Sequence, residues 1–127
     1  MQFASARVIS SDVARLAGFY AQVTGLEGLG PAGVFAEFAG PSGKLAIGAT
    51  GTLPVDRADG TVVLEFLVED VDREYRRLTG LADAPEIVQE PATMPWGNRS
   101  LLFRDPDGHV VNFFAPVTED ARARLGR

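Results

Sequence analysis

The 127-residue sequence contains no cysteine and only one histidine, His109. Without cysteine there are no disulfides, no thiolate nucleophile and no zinc–thiolate site, and a single histidine excludes a metal site built from several imidazoles. Lysine and arginine number 12 against 17 aspartates and glutamates, which gives a net charge of −5. This balance argues against nucleic acid as a partner, because phosphate contacts need clustered basic side chains, and it favours a cationic small ligand.

The sequence also lacks any run of 18 apolar residues. Its first residues do not show the charged segment followed by an apolar segment that is typical of a signal peptide. We therefore expect a cytoplasmic protein with no membrane partner. Hydrophobic residues make up 46% of the chain and charged residues 23%, a balance typical of folded globular proteins. The length predicts a single domain over residues 1–127.

One segment of the sequence occurs twice. Asp12-Val13-x-Arg15, followed by Thr24-Gly25-Leu26, returns as Asp70-Val71-x-Arg73, followed by Thr79-Gly80-Leu81. Each copy follows an apolar run and begins a helix-like stretch, with its aspartate as the candidate N-cap. A short repeated unit cannot bury its apolar face alone, so we expect two half-modules with the functional site at the seam between them.

Hydrophobic periodicity and turn residues predict a strand, a helix and then further strands in each half. The predicted half-modules are residues 1–50 and 61–117, with a connector at 51–60 and a C-terminal helical tail at 118–127. The predicted strands lie near 3–9, 27–29, 34–39, 44–49, 61–68, 86–90, 99–104 and 110–115. The run 61–68 is nearly all apolar, which is typical of a strand covered on both faces. The fold class is therefore α+β with a mainly antiparallel sheet.

The doubled pattern resembles the vicinal oxygen chelate superfamily, which includes glyoxalase I, extradiol dioxygenases and the fosfomycin and bleomycin resistance proteins. The resemblance covers nearly the whole chain. Besides the repeat, it is carried by Pro95-Trp96-Gly97-Asn98-Arg99 and by Phe103-Arg104-Asp105-Pro106-Asp107-Gly108. It implies two βαβββ modules that form a curved sheet around a cleft. It also implies a homodimer with clefts at or near the subunit interface.

The metal-ligand positions of that superfamily hold unsuitable residues in this sequence. They lie seven residues before each N-cap aspartate and four residues after the glycine of the last turn, and they hold Ser5, Val63 and Asn112. Valine cannot bind a metal, and serine and asparagine are weak neutral ligands. A catalytic divalent ion needs about three good protein ligands. We therefore expect no metal and no other cofactor, and an enzyme is the less favoured interpretation.

Glu65 is the most unusual residue of the predicted strand at 61–68. Strand alternation places it on the same face as Val63, and a lone carboxylate in an apolar run is costly to bury. Three interpretations remain open. Glu65 pairs with Arg7 or Arg99 as a structural ion pair, contacts a cationic ligand group, or acts as a general base or metal ligand.

Further candidate contacts follow from alternation and residue type, and the complete predicted ligand-binding set is Ser5, Arg7, Glu65, Trp96, Arg99, Asn112 and Phe114. Trp96, the only tryptophan, is either a core residue or a stacking wall for a planar ligand. Arg99 either orients an acidic ligand or satisfies Glu65. His109 lies three positions before Asn112, so we expect it on the opposite face, exposed and without a catalytic role.

The leading hypothesis is a metal-free small-molecule-binding protein that resembles the bleomycin resistance type. It would hold a planar or cationic compound, such as an antibiotic or toxin, in an apolar aromatic cleft and act by sequestration. The alternative is a glyoxalase-like isomerase or lyase that uses Glu65 or an atypical carboxylate metal site. A third possibility is an interaction module whose cavity is filled.

Overall fold

The structure, a computed structural model, describes residues 5–50 and 63–126. The chain divides into two compact units, Met1–Asp59 and Gly60–Arg127. The boundary between them falls within the connector predicted at 51–60, which lies outside the described residues.

Over its described residues, 5–50, the first unit contains one helix and a four-stranded sheet. Its elements are β1 (Ser5–Ser10), α1 (Val13–Thr24), β2 (Gly28–Leu29), β3 (Phe35–Ala39) and β4 (Lys44–Ala49). The strand order is β1-β4-β3-β2. β1 runs parallel to β4, while the other two pairings are antiparallel.

The second unit repeats this topology. Its elements are β5 (Val63–Leu67), α2 (Val71–Thr79), β6 (Ile87–Thr93), β7 (Asn98–Arg104), β8 (Val110–Pro116) and α3 (Glu119–Arg124). The strand order is β5-β8-β7-β6, with β5 parallel to β8 and the other pairings antiparallel. The predicted α+β fold with two βαβββ modules is confirmed, as two mixed, four-stranded sheets.

The repeated aspartates are the N-caps of the first two helices. Oδ1 of Asp12 accepts a hydrogen bond from the backbone N–H of Arg15, and Oδ1 of Asp70 accepts one from Arg73. Each bond satisfies a backbone donor that the first helical turn leaves unpaired. The longest helix, α1, has 12 residues. No helix within 5–50 or 63–126 is long and apolar enough to cross a membrane.

The core of each unit lies between its helix and one face of its sheet. In the first unit the buried face of α1 packs on β3 and β4. In the second unit α2 packs on β6, β7 and β8, over a core that contains Leu64, Leu101, Phe103, Val111 and Phe113. The ring of Phe113 makes edge contacts with Phe66 and Phe103, at centroid distances of 5.8 and 4.9 Å.

The expectation that the apolar run at 61–68 is covered on both faces is wrong. Leu64 is buried, but Val63 and Leu67 are 44% and 39% exposed. β5 is an edge strand of its sheet, and only one of its faces contributes to the core beneath α2. The apolar residues on its other face are therefore available to contact something else.

Candidate functional site

The second sheet has one face toward α2 and one face away from it. Arg99, Leu101 and Phe103 point toward α2, since Arg99 binds Asp72 of that helix. Side chains at the intervening positions point the other way. We call this second surface the open face, and it is formed by Val63, Glu65, Leu67, Ser100, Leu102, Arg104, Val110, Asn112 and Phe114.

Three of the predicted site residues meet on the open face. Glu65 of β5 lies opposite Asn112 of β8, and Phe114 follows two positions along β8 on the same side. Ser100 and Leu102 of β7 lie opposite Phe114 and Asn112. A polar group therefore occupies the middle of the face, with apolar side chains beside it.

The polar residues of the open face form a directed chain of hydrogen bonds. Oγ of Ser100 donates to Oδ1 of Asn112 at 2.5 Å, and Nδ2 of Asn112 donates to Oε2 of Glu65 at 2.9 Å. An ionised carboxylate only accepts hydrogen bonds, so Asn112 must turn its amide nitrogen toward Glu65 and its oxygen toward Ser100. Ser100 is buried and Glu65 is exposed, so the chain ends at a solvent-facing carboxylate.

The residues at the superfamily's metal positions do not fit a divalent ion. Val63 has no donor atom. Asn112 offers only a neutral amide oxygen that already accepts a hydrogen bond from Ser100, and its nitrogen donates to Glu65, so it is a weak ligand for a divalent ion. Within the described ranges, no three His, Cys, Asp or Glu residues are grouped so that they could hold a metal ion.

The structure excludes Arg99 as the partner of Glu65. Its guanidinium donates two hydrogen bonds of 2.8 Å to Asp72 and a third, of 3.2 Å, to Oγ1 of Thr93. Arg99 and Leu101 are two residues apart on β7, so their side chains lie on the same face of the sheet, the face toward α2. The interpretation that Arg99 satisfies Glu65 is therefore wrong, and its guanidinium is committed to Asp72.

Trp96 is not a core residue, so that interpretation is also wrong. It lies in the turn between β6 and β7 and is 58% exposed. The turn is closed by the N–H of Gly97, which donates to the carbonyl of Met94, and Arg124 donates to the carbonyl of Trp96. The indole therefore lies on the surface, and its role as a stacking wall stays a prediction.

The two predicted site residues of the first unit, Ser5 and Arg7, lie on β1 and are exposed. Arg7 precedes its N-cap aspartate by five residues, as Glu65 does in the second unit. Arg7 lies opposite Ala46, whereas Glu65 lies opposite Asn112. The two copies of the repeat thus carry opposite charges at equivalent positions. Ala46 has no side-chain amide, so it cannot form a hydrogen bond like the one that Asn112 donates to Glu65.

His109 belongs to the turn between β7 and β8. Its Nδ1 lies 2.8 Å from Oδ2 of Asp105, and the His109 side chain is 19% exposed. Asp105 is buried and also accepts hydrogen bonds from the backbone N–H groups of Asp107 and His109. The expectation of an exposed His109 is wrong, because the ring is mostly buried against the carboxylate of Asp105.

Ser100 and Leu102 are open-face residues that the sequence analysis missed. The turn predicted at 105–108 does not identify them, because counting outward from it by equal steps pairs Arg104 with His109. The connection in the structure is one residue longer, 105–109, and counting outward from it pairs Arg104 with Val110 and Leu102 with Asn112. The same count places Ser100 beside Phe114.

Comparisons with known proteins agree with this architecture. The family model described as "Glyoxalase/Bleomycin resistance protein/Dioxygenase superfamily" matches residues 2–113. The solved structure of TioX from Micromonospora sp. ML1 is 26% identical, covers 92% of this chain and 100% of that chain, and has a TM-score of 0.74. A glyoxalase/bleomycin resistance protein/dioxygenase from Nocardioides is 24% identical, with coverages of 94% and 85% and a TM-score of 0.74. Lactoylglutathione lyase from Agrobacterium tumefaciens shares the fold at 22% identity, with coverages of 89% and 92% and a TM-score of 0.72. No curated protein was found that matches the chain.

Proposed function

The chain belongs to the glyoxalase/bleomycin resistance protein/dioxygenase superfamily, and we propose that it binds a small organic molecule on the open face without a metal ion. The molecule is planar or cationic, and the protein acts by sequestering it, as an antibiotic- or toxin-binding protein does. The proposed contacts are Glu65, Leu67, Asn112 and Phe114. Ser5, Arg7 and Trp96 remain predicted contacts, and Arg99 is left out because it binds Asp72.

The observation that carries this proposal is the orientation of Asn112. It occupies a metal-ligand position of the superfamily, but its amide oxygen accepts from Ser100 and its nitrogen donates to Glu65. A metal-dependent reaction would need a strong ligand at this place, whereas the position holds a neutral amide that is already engaged in two hydrogen bonds. Binding without chemistry needs only a shaped, partly apolar surface with a few fixed polar groups, and the open face supplies both.

A thermal-shift screen of divalent metals, aromatic antibiotics and small keto-acids tests the proposal. A ligand that binds the native state raises the melting temperature, so we expect stabilisation by organic compounds and none by the metals. Chemical-shift changes at residues 63–67 and 110–116 would place the bound compound on the open face. If no compound raises the melting temperature, the proposal fails and the interaction-module interpretation gains support.

A matched pair of variants links binding to the open face. Leu67→Ser removes an exposed apolar side chain from that face, and Val117→Ser removes one beyond the end of β8. Both residues are exposed, so neither change should cost much stability. We expect Leu67→Ser to weaken binding and Val117→Ser to leave it unchanged. Equal effects would place the ligand elsewhere.

The alternative function is a glyoxalase-like isomerase or lyase. It is favoured by one observation, the exposed carboxylate of Glu65 at the end of the polar chain, which could act as a general base. Metal analysis of protein purified without chelator tests the form of this alternative that uses a carboxylate metal site. One equivalent of bound divalent metal per chain would favour the enzyme, and less than a tenth of an equivalent would favour metal-free binding.

We also propose a homodimer, on the basis of the family resemblance. Light scattering after size exclusion should then give twice the chain mass of 13.5 kDa. A single-chain mass at all concentrations tested would contradict this part of the proposal, without affecting the assignment of the open face.

A further inference from the structure

Glu65 lies between apolar residue pairs on the open face. Along the β5–β8 pairing, the neighbours on the same face are the pairs Val63–Val110 and Leu67–Phe114. Val63 and Leu67 are exposed, and Val110 and Phe114 are half-buried. A ligand group at Glu65 would therefore have apolar surface beside it in either direction along the strand.

The polar chain presents Oε1 of Glu65 to this ligand group. The amide oxygen of Asn112 accepts a hydrogen bond from Ser100, and its nitrogen donates to Oε2 of Glu65. In its own unit, as far as 63–126 are described, Glu65 has no hydrogen-bond partner besides Asn112 and no ion pair. Oε1 therefore keeps its lone pairs for a group that is not part of this unit.

From this arrangement we infer that the ligand of the open face carries a cationic hydrogen-bond donor, such as an alkylammonium group. The ammonium group binds Oε1 of Glu65, and an attached apolar group lies on Leu67 and Phe114. The inference rests on the proposed function and specifies its ligand class. Asn112 acts as a positioning residue, because its N–H holds the other carboxylate oxygen in place.

Other ligand charges do not suit this arrangement. An anionic group would meet the ionised carboxylate of Glu65, and like charges at contact distance repel. A neutral donor would form a hydrogen bond, but hydrogen bonds with charge on both partners are roughly twice as strong. The protein's net charge of −5 also attracts cations at longer range.

The strand geometry sets the dimensions of a suitable probe. Residues two positions apart on a strand are separated by about 6.6 Å, so the cation and the apolar group need a similar spacing. The 4-phenylbutylammonium ion meets this requirement with a short flexible chain. The alcohol 4-phenylbutanol and the anion 4-phenylbutanoate keep its shape and replace its charge, so the three compounds isolate the effect of charge.

The experiment measures the Kd of the three probes for the full chain by NMR titration or calorimetry. The variants are Glu65→Gln, which keeps the size of the side chain, and Glu69→Gln, which removes the same charge from an exposed residue outside the open face. Unfolding curves confirm that both variants are folded. Glu69→Gln controls for the change in net charge.

For the unaltered chain we expect the ammonium probe to bind about tenfold more tightly than the alcohol, the ratio for one charge-assisted hydrogen bond that solvent partly screens. The anion should bind most weakly. Glu65→Gln should abolish the tenfold preference and Glu69→Gln should keep it. Added salt at 0.5 M should reduce it, because exposed charges are screened.

Equal binding of the ammonium probe and the alcohol, or an unchanged preference in Glu65→Gln, would overturn the inference and leave the proposed function standing. Failure of all three probes to bind, together with a negative screen, would overturn both. The two failures are therefore distinguishable.

Discussion

Arg99 donates a hydrogen bond of 2.8 Å to each carboxylate oxygen of Asp72, and so connects β7 to α2. The hydrogen bond from Arg99 lowers the pKa of Asp72, although desolvation opposes the shift. The same hydrogen bond raises the pKa of Arg99. The pair belongs to the helix-covered side of the sheet, so its effects should concern stability and not ligand binding.

Asp72→Asn should lower the free energy of unfolding at pH 7 by at most about 1 kcal/mol, because both side chains are partly exposed and solvent screens the pair. A carboxylate whose folded pKa is lowered stabilises the protein above its unfolded pKa, about 3.9. This contribution is lost as the pH falls through the lowered value. The gap between the variant and the unaltered chain should therefore close below about pH 4.

Urea unfolding at pH 7, 5 and 3 measures this gap. Asp83→Asn, which removes an exposed carboxylate of the same unit, serves as the control and should show little gap at any pH. A gap for Asp72→Asn that persists unchanged at pH 3 would contradict the assigned role of the pair.

Gly97 is required for a close approach between the turn that holds Trp96 and the start of α3. Its φ is +92°, and a Cβ at this position would lie 2.1 Å from Oγ1 of Thr118 and 3.1 Å from Cβ of Ala121. Thr118 is the N-cap of α3, so moving its side chain would break the bond to the N–H of Ala121. Gly97→Ala should lower the unfolding free energy by about 2–3 kcal/mol, from backbone strain and the lost cap.

Gly108→Ala is the matched control, since its φ is +90° but a Cβ there would meet no atom within 4 Å. It should cost only the conformational strain, about 1 kcal/mol. Adding Thr118→Gly to Gly97→Ala should recover part of the difference by relieving the overlap. Thermal unfolding of the three variants and the unaltered chain measures this, and equal costs for Gly97→Ala and Gly108→Ala would show that the close approach is unimportant.

Asp105 organises the turn that sets the register of β7 and β8. Its buried carboxylate accepts from the backbone of Asp107 and His109 and pairs with the His109 ring. Asp105→Ala leaves these donors without their acceptor and should cost about 2–3 kcal/mol. Asp107→Ala, which keeps the backbone donor and the acceptor, should cost less than half as much. Denaturant unfolding of the two variants measures both losses of unfolding free energy. A larger loss for Asp107→Ala than for Asp105→Ala would refute the role assigned to Asp105.

The repeat, the helix caps and the strands were predictable because each depends on local sequence. Asp12 and Asp70 are N-caps as expected, and the predicted turn joins β7 to β8, although their register follows from a connection one residue longer, 105–109. The hydrogen-bond partner of Glu65 was harder to predict from the sequence. Identifying Asn112 required the β5–β8 register, which joins residues 47 apart in sequence and depends on tertiary packing rather than on turn chemistry.

One of the two interpretations was excluded at Arg99 and one at Trp96, each for its own physical reason. Alternation along β7 directs the guanidinium of Arg99 to Asp72 on α2 and away from Glu65. Trp96 lies in a turn, where a large apolar side chain is free to remain on the surface. The direction of a side chain therefore determines whether a residue can take part in this site more strongly than its residue type does.

The link between Ser100 and Asn112 provides the last prediction. The hydroxyl of Ser100 holds the amide oxygen of Asn112, and this fixes the amide nitrogen toward Glu65. Ser100→Ala should lower the unfolding free energy by about 1 kcal/mol, the net value of one hydrogen bond. It should also weaken the preference for the ammonium probe, because an amide without a fixed orientation positions Glu65 less well.

A double-mutant cycle with Ser100→Ala and Asn112→Ala isolates this link, and the coupling in unfolding free energy should be about 0.5–1 kcal/mol. The probe titrations supply the readout that a purely structural bond would not affect. Ser100→Ala should retain Kd for 4-phenylbutanol and raise Kd for 4-phenylbutylammonium. If both values change by the same factor, Ser100 supports the fold of the sheet and does not orient the carboxylate.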